Sequence, residues 1–240
     1  MWHRSLMRHG MDIRMLPESD VWLRSLPEQF ADTVVGVTRE LLDGYQDVLS
    51  IAVIGSTGEG VWDECSDVDV VYVRETMIPT DVIIRIKKKW PLSQYIYRMP
   101  AKLRQEAMDG SIVAWSISRG MVIYDVKHIL RDIFHDRLPL PTLRWIQDRA
   151  KYVAKWPSDS EGLWRKTINF GVLLLAKHGI VATTKYQLRR DFSVHIQQPL
   201  LRAAVDLVTA RHRKERVLLH EDIRMLGEAV SIFASELCSS

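Results

Sequence analysis

The segment that most restricts how this chain can fold runs from Ile54 to Val70. A glycine and a serine close an apolar run, and two aspartates separated by one valine follow after a spacer of ten residues. The run Val48-Leu49-Ser50-Ile51-Ala52-Val53-Ile54 is short, rich in β-branched residues and stopped by Gly55, which predicts a largely buried strand. Asp67-Val68-Asp69-Val70-Val71-Tyr72-Val73 predicts a second. Residues two apart in a strand share a face, so the Asp67 and Asp69 carboxylates emerge together, roughly 6–7 Å apart along the backbone. Two such carboxylates repel unless a cation relieves them, and hard oxygen ligands with partial hydration suit Mg²⁺. An isolated Asp-x-Asp also suits a solvated acidic edge strand. Here Val68, Val70 and Val71 argue for burial instead. Glycine at position 55 lets a phosphate approach the backbone, and the Ser56 hydroxyl and the amides after it can donate to phosphate oxygens, especially where Thr57 opens a short helix. Together these parts would set a triphosphate against bound metal, as in-line nucleotidyl transfer requires.

Around this segment the chain reads as two parts. Residues 1–27 form an arm with two proline breaks, Pro17 and Pro27, and room for one short helix. Phe30, Val34, Val37, Leu41 and Leu42 recur at helical spacing before Gly44. A helix over Thr80–Lys89, a third strand over Ser93–Arg98 and a helix over Pro100–Met108 follow, and Ser111–Asp125 reads as another small strand region. Past Leu138-Pro139-Leu140-Pro141 the strand signals fade. Leu143–Lys155, Leu163–His178, Pro199–Arg211 and His220–Leu237 all carry apolar residues at helical spacing, which predicts four or five packed helices. The expected domains are therefore the arm, a strand-containing domain over 28–135 and a helical domain over 136–240.

Composition excludes several classes. The net charge of +3, from 33 basic and 30 acidic side chains, is too balanced to imply a nucleic-acid partner. The basic runs Arg211–Arg216 and Lys87–Lys89 suit helix ends. Cys65 and Cys238 belong to neither a disulfide framework nor a metal pattern, which fits a reducing cytoplasm. No stretch has the length and apolarity of a signal peptide or a membrane span, so a cytoplasmic protein without a membrane partner is expected.

The order Ile54-Gly55-Ser56, ten residues, Asp67-Val68-Asp69-Val70, with Ser66 before the first acid, resembles the signature of the polymerase-β-like nucleotidyltransferase superfamily. The stretch Thr167–Leu237, and above all Gly179-Ile180-Val181-Ala182-Thr183-Thr184-Lys185, resembles the C-terminal helical domain of aminoglycoside 3″-type adenylyltransferases. This resemblance implies an α+β fold: an N-terminal domain with a mixed sheet and flanking helices, then an all-α bundle. It implies transfer of a nucleoside monophosphate, AMP being expected, from an NTP to a hydroxyl of a small molecule or protein. Asp67 and Asp69 would hold Mg²⁺ as the catalytic pair, Gly55 and Ser56 would bind the nucleotide, and Lys185 would reach its phosphates. An ordinary solvated lysine is the competing reading of Lys185.

One departure narrows what the resemblance implies. Active members carry a third carboxylate on the next long strand, which here is Ser93–Arg98 and contains no acid. Gln94 stands near the expected place and can orient a hydroxyl but not accept its proton. Asp81, Glu106 and Asp109 are the other acids within a few residues of neighbouring elements. No tyrosine counterpart near the phosphates is evident around Asp206. Two further readings therefore stand beside the enzyme: a nucleotide-binding homologue with lost or weak catalysis, and a toxin–antitoxin type interaction module, in which Arg213 and His220 would echo an RNase-like Arg and His spacing. The acceptor and the oligomeric state are not encoded in any motif.

Overall fold

A computed structural model describes residues 16–63, 66–135, 137–210 and 218–238. Residues 1–15 of the arm, Cys65, and the basic run with Arg213 lie outside the described residues. The chain divides into two compact units. One holds the described residues up to Arg104 together with Ile117–Asp136; the other holds Gln105–Ser116 and the described chain from Arg137 onward.

In the first unit, helix α1 (Pro17–Ser25) opens on a proline, whose fixed φ suits a first helical turn. Helix α2 (Glu28–Gly44) buries Phe30, Val34, Val37 and Leu41, the stripe expected from the sequence. Strand β1 (Ser50–Ile54) is buried throughout. The short helix α3 (Gly55–Gly58) follows it directly, then come β2 (Val68–Val73), α4 (Thr80–Lys89) and β3 (Ser93–Arg98). Helices α5 (Pro100–Met108) and α6 (Ile112–Arg119) carry the chain into the second unit and back, and β4 (Met121–Asp125) and α7 (Ile129–Ile133) complete the first.

The sheet is mixed, in the order β3-β2-β1-β4. Strand β1 runs antiparallel to both β2 and β4, whereas β2 and β3 are parallel, joined by the crossover through α4. Alternation along β2 sorts its faces. Val68, Val70 and Tyr72 pack with Ile51, Val53, Ile123 and the apolar stripe of α2. Asp69, Val71 and Val73 point the other way. Each fully buried aliphatic or aromatic side chain in this core contributes about 1.5–3 kcal/mol relative to exposure.

The second unit is helical. Its elements α8 (Leu143–Ala154), α9 (Ser160–Lys177), α10 (Lys185–His195), α11 (Pro199–Thr209) and α12 (His220–Cys238) enclose a core centred on Phe170, Phe192 and Phe233. The ring of Phe233 lies 6.2 Å from that of Phe170 and 5.9 Å from that of Phe192. Thr142, Asp159 and Thr184 cap α8, α9 and α10 through their side chains. The expected α+β fold, a mixed sheet with helices followed by a helical set, is the one observed.

Two local readings change. The strand region expected over Ser111–Asp125 is a strand only from Met121; Ile112–Arg119 is helical. The alternation of Val113, Trp115 and Ile117 imitates a strand. Ser111 overrides it by accepting the Ala114 N–H at 3.1 Å as a helix cap, and Ala114 and Ile117 bury at helical spacing. Helix α10 carries no periodic signal in the sequence, because only Leu188 and Phe192 bury along it, too few to make a stripe. Among the described residues, no helix is long and apolar enough to cross a membrane.

Candidate functional site

Strand β1 delivers its last residue, Ile54, directly opposite Asp69 of β2. The next residue, Gly55, has φ +68°. That left-handed conformation costs other residues about 1–2 kcal/mol and turns the chain straight from strand into α3. A β-carbon at Gly55 would come within 2.8 Å of Asp69 Oδ2. The close approach of the Asp69 carboxylate to the turn is therefore a consequence of the missing side chain.

Hydroxyls tie the turn to the acid-bearing strand. Thr57, fully buried, donates from Oγ1 to the Asp67 carbonyl at 2.9 Å. Ser56 Oγ donates to Ser66 Oγ at 3.1 Å, and Ser66 Oγ donates to Asp63 Oδ1 at 2.9 Å while accepting the Asp63 N–H at 3.0 Å. Both ends of the connection between β1 and β2 are thus fastened to α3. Asp67 and Asp69 are half-buried, alternating with the buried Val68 and Val70. The structure brings Gly55, Ser56, Asp67 and Asp69 into one corner of the sheet. Lys185 is the exposed first residue of α10 in the second unit, beside the cap that Thr184 forms by accepting the Gln187 N–H.

The carboxylate pair fits a hydrated Mg²⁺. Its donors are hard oxygens on residues two apart, and the cradle a β-carbon at Gly55 would fill lies against one of them. Among the described residues, no three His, Cys, Asp or Glu side chains gather as a metal-ligating group. A cation here would be completed by water and phosphate oxygens, which Mg²⁺ prefers to an all-protein cage.

The parallel register sets Gln94 of β3 directly beside Asp69, on the same face. Its Oε1 accepts from Lys87 Nζ at 2.8 Å. The other acids considered stand in helical surroundings: Asp81 in the first turn of α4, Glu106 within α5, and Asp109 accepting from Gln105 Nε2 at 3.0 Å. Sequence reasoning gave no role to Asp125, a carboxylate in the sheet itself. It accepts from Ser50 Oγ at 2.5 Å and from the amides of Leu130 and Arg131 at 3.1 and 3.2 Å. It pairs with Ser50, at the opposite end of β1 from Ile54, and serves to anchor α7. The Ser50 and Asp125 contact spans 75 positions and leaves no local signal.

No protein-family model matches the chain, and no curated protein matches it in sequence. Among solved structures, a spectinomycin adenyltransferase, AAD(9), from Enterococcus faecialis, crystallised with ATP and spectinomycin, is similar in fold. It aligns with a TM-score of 0.63 at 11% identity, over 87% of this chain and 99% of its own. At that identity the likeness carries the fold alone, a mixed sheet with helices followed by a helical set.

Proposed function

We propose that this chain is an Mg²⁺-dependent nucleotidyltransferase that moves AMP from ATP to an acceptor oxygen, the family expectation being a hydroxyl of a small molecule or protein. The observation that carries the reading is the contact of the Gly55 turn with Asp69, on a sheet whose fold is that of an adenyltransferase. Asp67 and Asp69 would hold the metal. When bound, Mg²⁺ supplies neutralisation of triphosphate charge and stabilises the oxygens of the in-line displacement. The backbone at Gly55 and Ser56 admits and orients phosphate oxygens, and Lys185 is assigned to the phosphates on the same reading. Gln94, beside Asp69, orients an oxygen without taking a proton.

The test uses each α-labelled NTP with Mg²⁺, alone and with hydroxylated acceptors including aminoglycosides and cell lysate. Transfer that requires ATP and disappears in Asp67→Ala and Asp69→Asn is expected. Nucleotide binding indifferent to both substitutions would sink the proposal. A second reading, a nucleotide-binding homologue without efficient turnover, is favoured by Gln94 itself. It is selected if Mg²⁺-dependent ATP binding persists while no acceptor is labelled, in the wild type or in Gln94→Glu.

A further inference from the structure

A cavity of about 440 Å³ lies along β4, and none of Gly55, Ser56, Asp67 or Asp69 lines it. Its lining belongs wholly to the first unit. The volume falls within the roughly 300–1,000 Å³ of small-molecule sites. Ile117, Val122, Leu130 and Phe134 give it apolar walls. Three exposed polar side chains also line it, the acid on one helix and the nitrogen donors on another: Glu18 on α1, and His128 and Arg131 at the start of α7. Among the described residues, none of these three side chains has a hydrogen bond or ion pair. Asp125, the other carboxylate of the lining, is already held by the Ser50 hydroxyl and the amides of Leu130 and Arg131. His128 is also the one non-glycine residue with a positive φ, +54°, among the described residues. That conformation is costly for a residue with a side chain, and such strain gathers at ligand sites. No contact of the imidazole among the described residues offsets it.

We infer that this cavity binds a free α-amino acid with a large apolar side chain, at a site separate from the nucleotide corner. The apolar walls take the side chain, Arg131 and His128 hold the carboxylate, and Glu18 holds the ammonium. Charge complementarity selects a zwitterion over its halves. A lone anion of the same shape would meet Glu18 with no ammonium to satisfy it, and a lone cation would meet Arg131 with no carboxylate. A ligand carrying one charge of each sign satisfies both helices at once. Its apolar side chain supplies the burial that a free amino acid without one, such as glycine, cannot.

The experiment titrates the full chain by calorimetry with phenylalanine, leucine and tryptophan, beside glycine, 3-phenylpropionate and phenethylamine. Saturable binding of the three apolar amino acids is expected, with phenylalanine at least about tenfold tighter than either analogue that lacks one charge. Glu18→Gln should weaken phenylalanine about tenfold and leave 3-phenylpropionate unchanged. Arg131→Gln should weaken phenylalanine about tenfold and leave phenethylamine unchanged. Both residues are exposed, so neither variant should unfold earlier in denaturant. His128→Gly relieves the left-handed backbone and should bind phenylalanine more weakly with no loss of stability. Absence of saturable binding by phenylalanine, leucine and tryptophan overturns the inference. So does phenylalanine affinity unchanged in Glu18→Gln and Arg131→Gln, or a one-charge analogue that binds as tightly as phenylalanine. Competition between phenylalanine and Mg²⁺-ATP for one site also overturns it; each of these results leaves nucleotidyl transfer standing.

Discussion

The Gly55 α-carbon and the Asp69 carboxylate sit so close that a β-carbon on the glycine would be 2.8 Å from Oδ2. This contact joins two strands through backbone on one side and a carboxylate side chain on the other. Gly55→Ala meets both the clash and the φ of +68°. It is expected to destabilise the fold by about 1–2 kcal/mol and to weaken Mg²⁺-ATP binding. Gly44→Ala, at the end of α2 with nothing within 4 Å of the added atom, is the matched control and should change neither. Chemical denaturation and nucleotide titration of the two variants check this.

Gly36 presents a different constraint. A β-carbon there would lie 2.0 Å from the Trp90 ring, so α2 and the residue that ends α4 are packed through the absence of a side chain. Gly36→Ala forces Trp90 out of place and should cost about 1–3 kcal/mol by overpacking. The shift is readable in urea unfolding together with a change in tryptophan emission. Emission and stability identical to wild type would show that the indole moves aside freely.

Asp125 is a structural carboxylate, and its removal separates stability from chemistry. Asp125→Ala leaves the Ser50 hydroxyl, itself fully buried, without its acceptor, and uncaps α7. The expected loss is about 1.5–3 kcal/mol in denaturant unfolding, with Mg²⁺-ATP affinity retained in the folded fraction. A loss of affinity with unchanged stability would place Asp125 in the nucleotide site after all.

Burial pushes the Tyr95 phenol up to about 12, partly offset by its hydrogen bond with Ser93 and helped by the nearby charge of Glu40. The folded protein therefore keeps this proton where the unfolded chain has lost it. The stabilisation is fully present below the ordinary tyrosine value, and is lost as pH rises from there through about 12. Tyr95→Phe should flatten the alkaline fall in stability, and absorbance titration should find one fewer late-ionising phenol. An alkaline limb equally steep in the variant would refute the assignment.

The features legible in the sequence are local ones. The β-branched run into Gly55, the alternation after Asp67 and the stripe from Phe30 to Leu41 each encode their element within a few residues, because side-chain period and backbone conformation are coupled along the chain. That is why β1, β2, α2, α4, β3 and α5 emerge close to their expected bounds, and the α+β division with them. Local coding also misleads, as at Val113, Trp115 and Ile117, where alternation lost to the cap that Ser111 provides.

The motif from Gly55 to Asp69 was legible as a pattern of residue types because turn, spacer and carboxylates are contiguous in sequence. Its physical content, a glycine pressed against a carboxylate, was decided by the antiparallel register that pairs Ile54 with Asp69. The same holds for Gln94: sequence alone showed an acid missing, while the parallel register placed the amide beside Asp69 and the Lys87 contact fixed which way its amide oxygen turns. Strand pairing and crossover depend on which distant segments bury apolar faces together, and no local period records that choice. Residue identity settled what chemistry this corner can hold; tertiary pairing settled which groups face one another there.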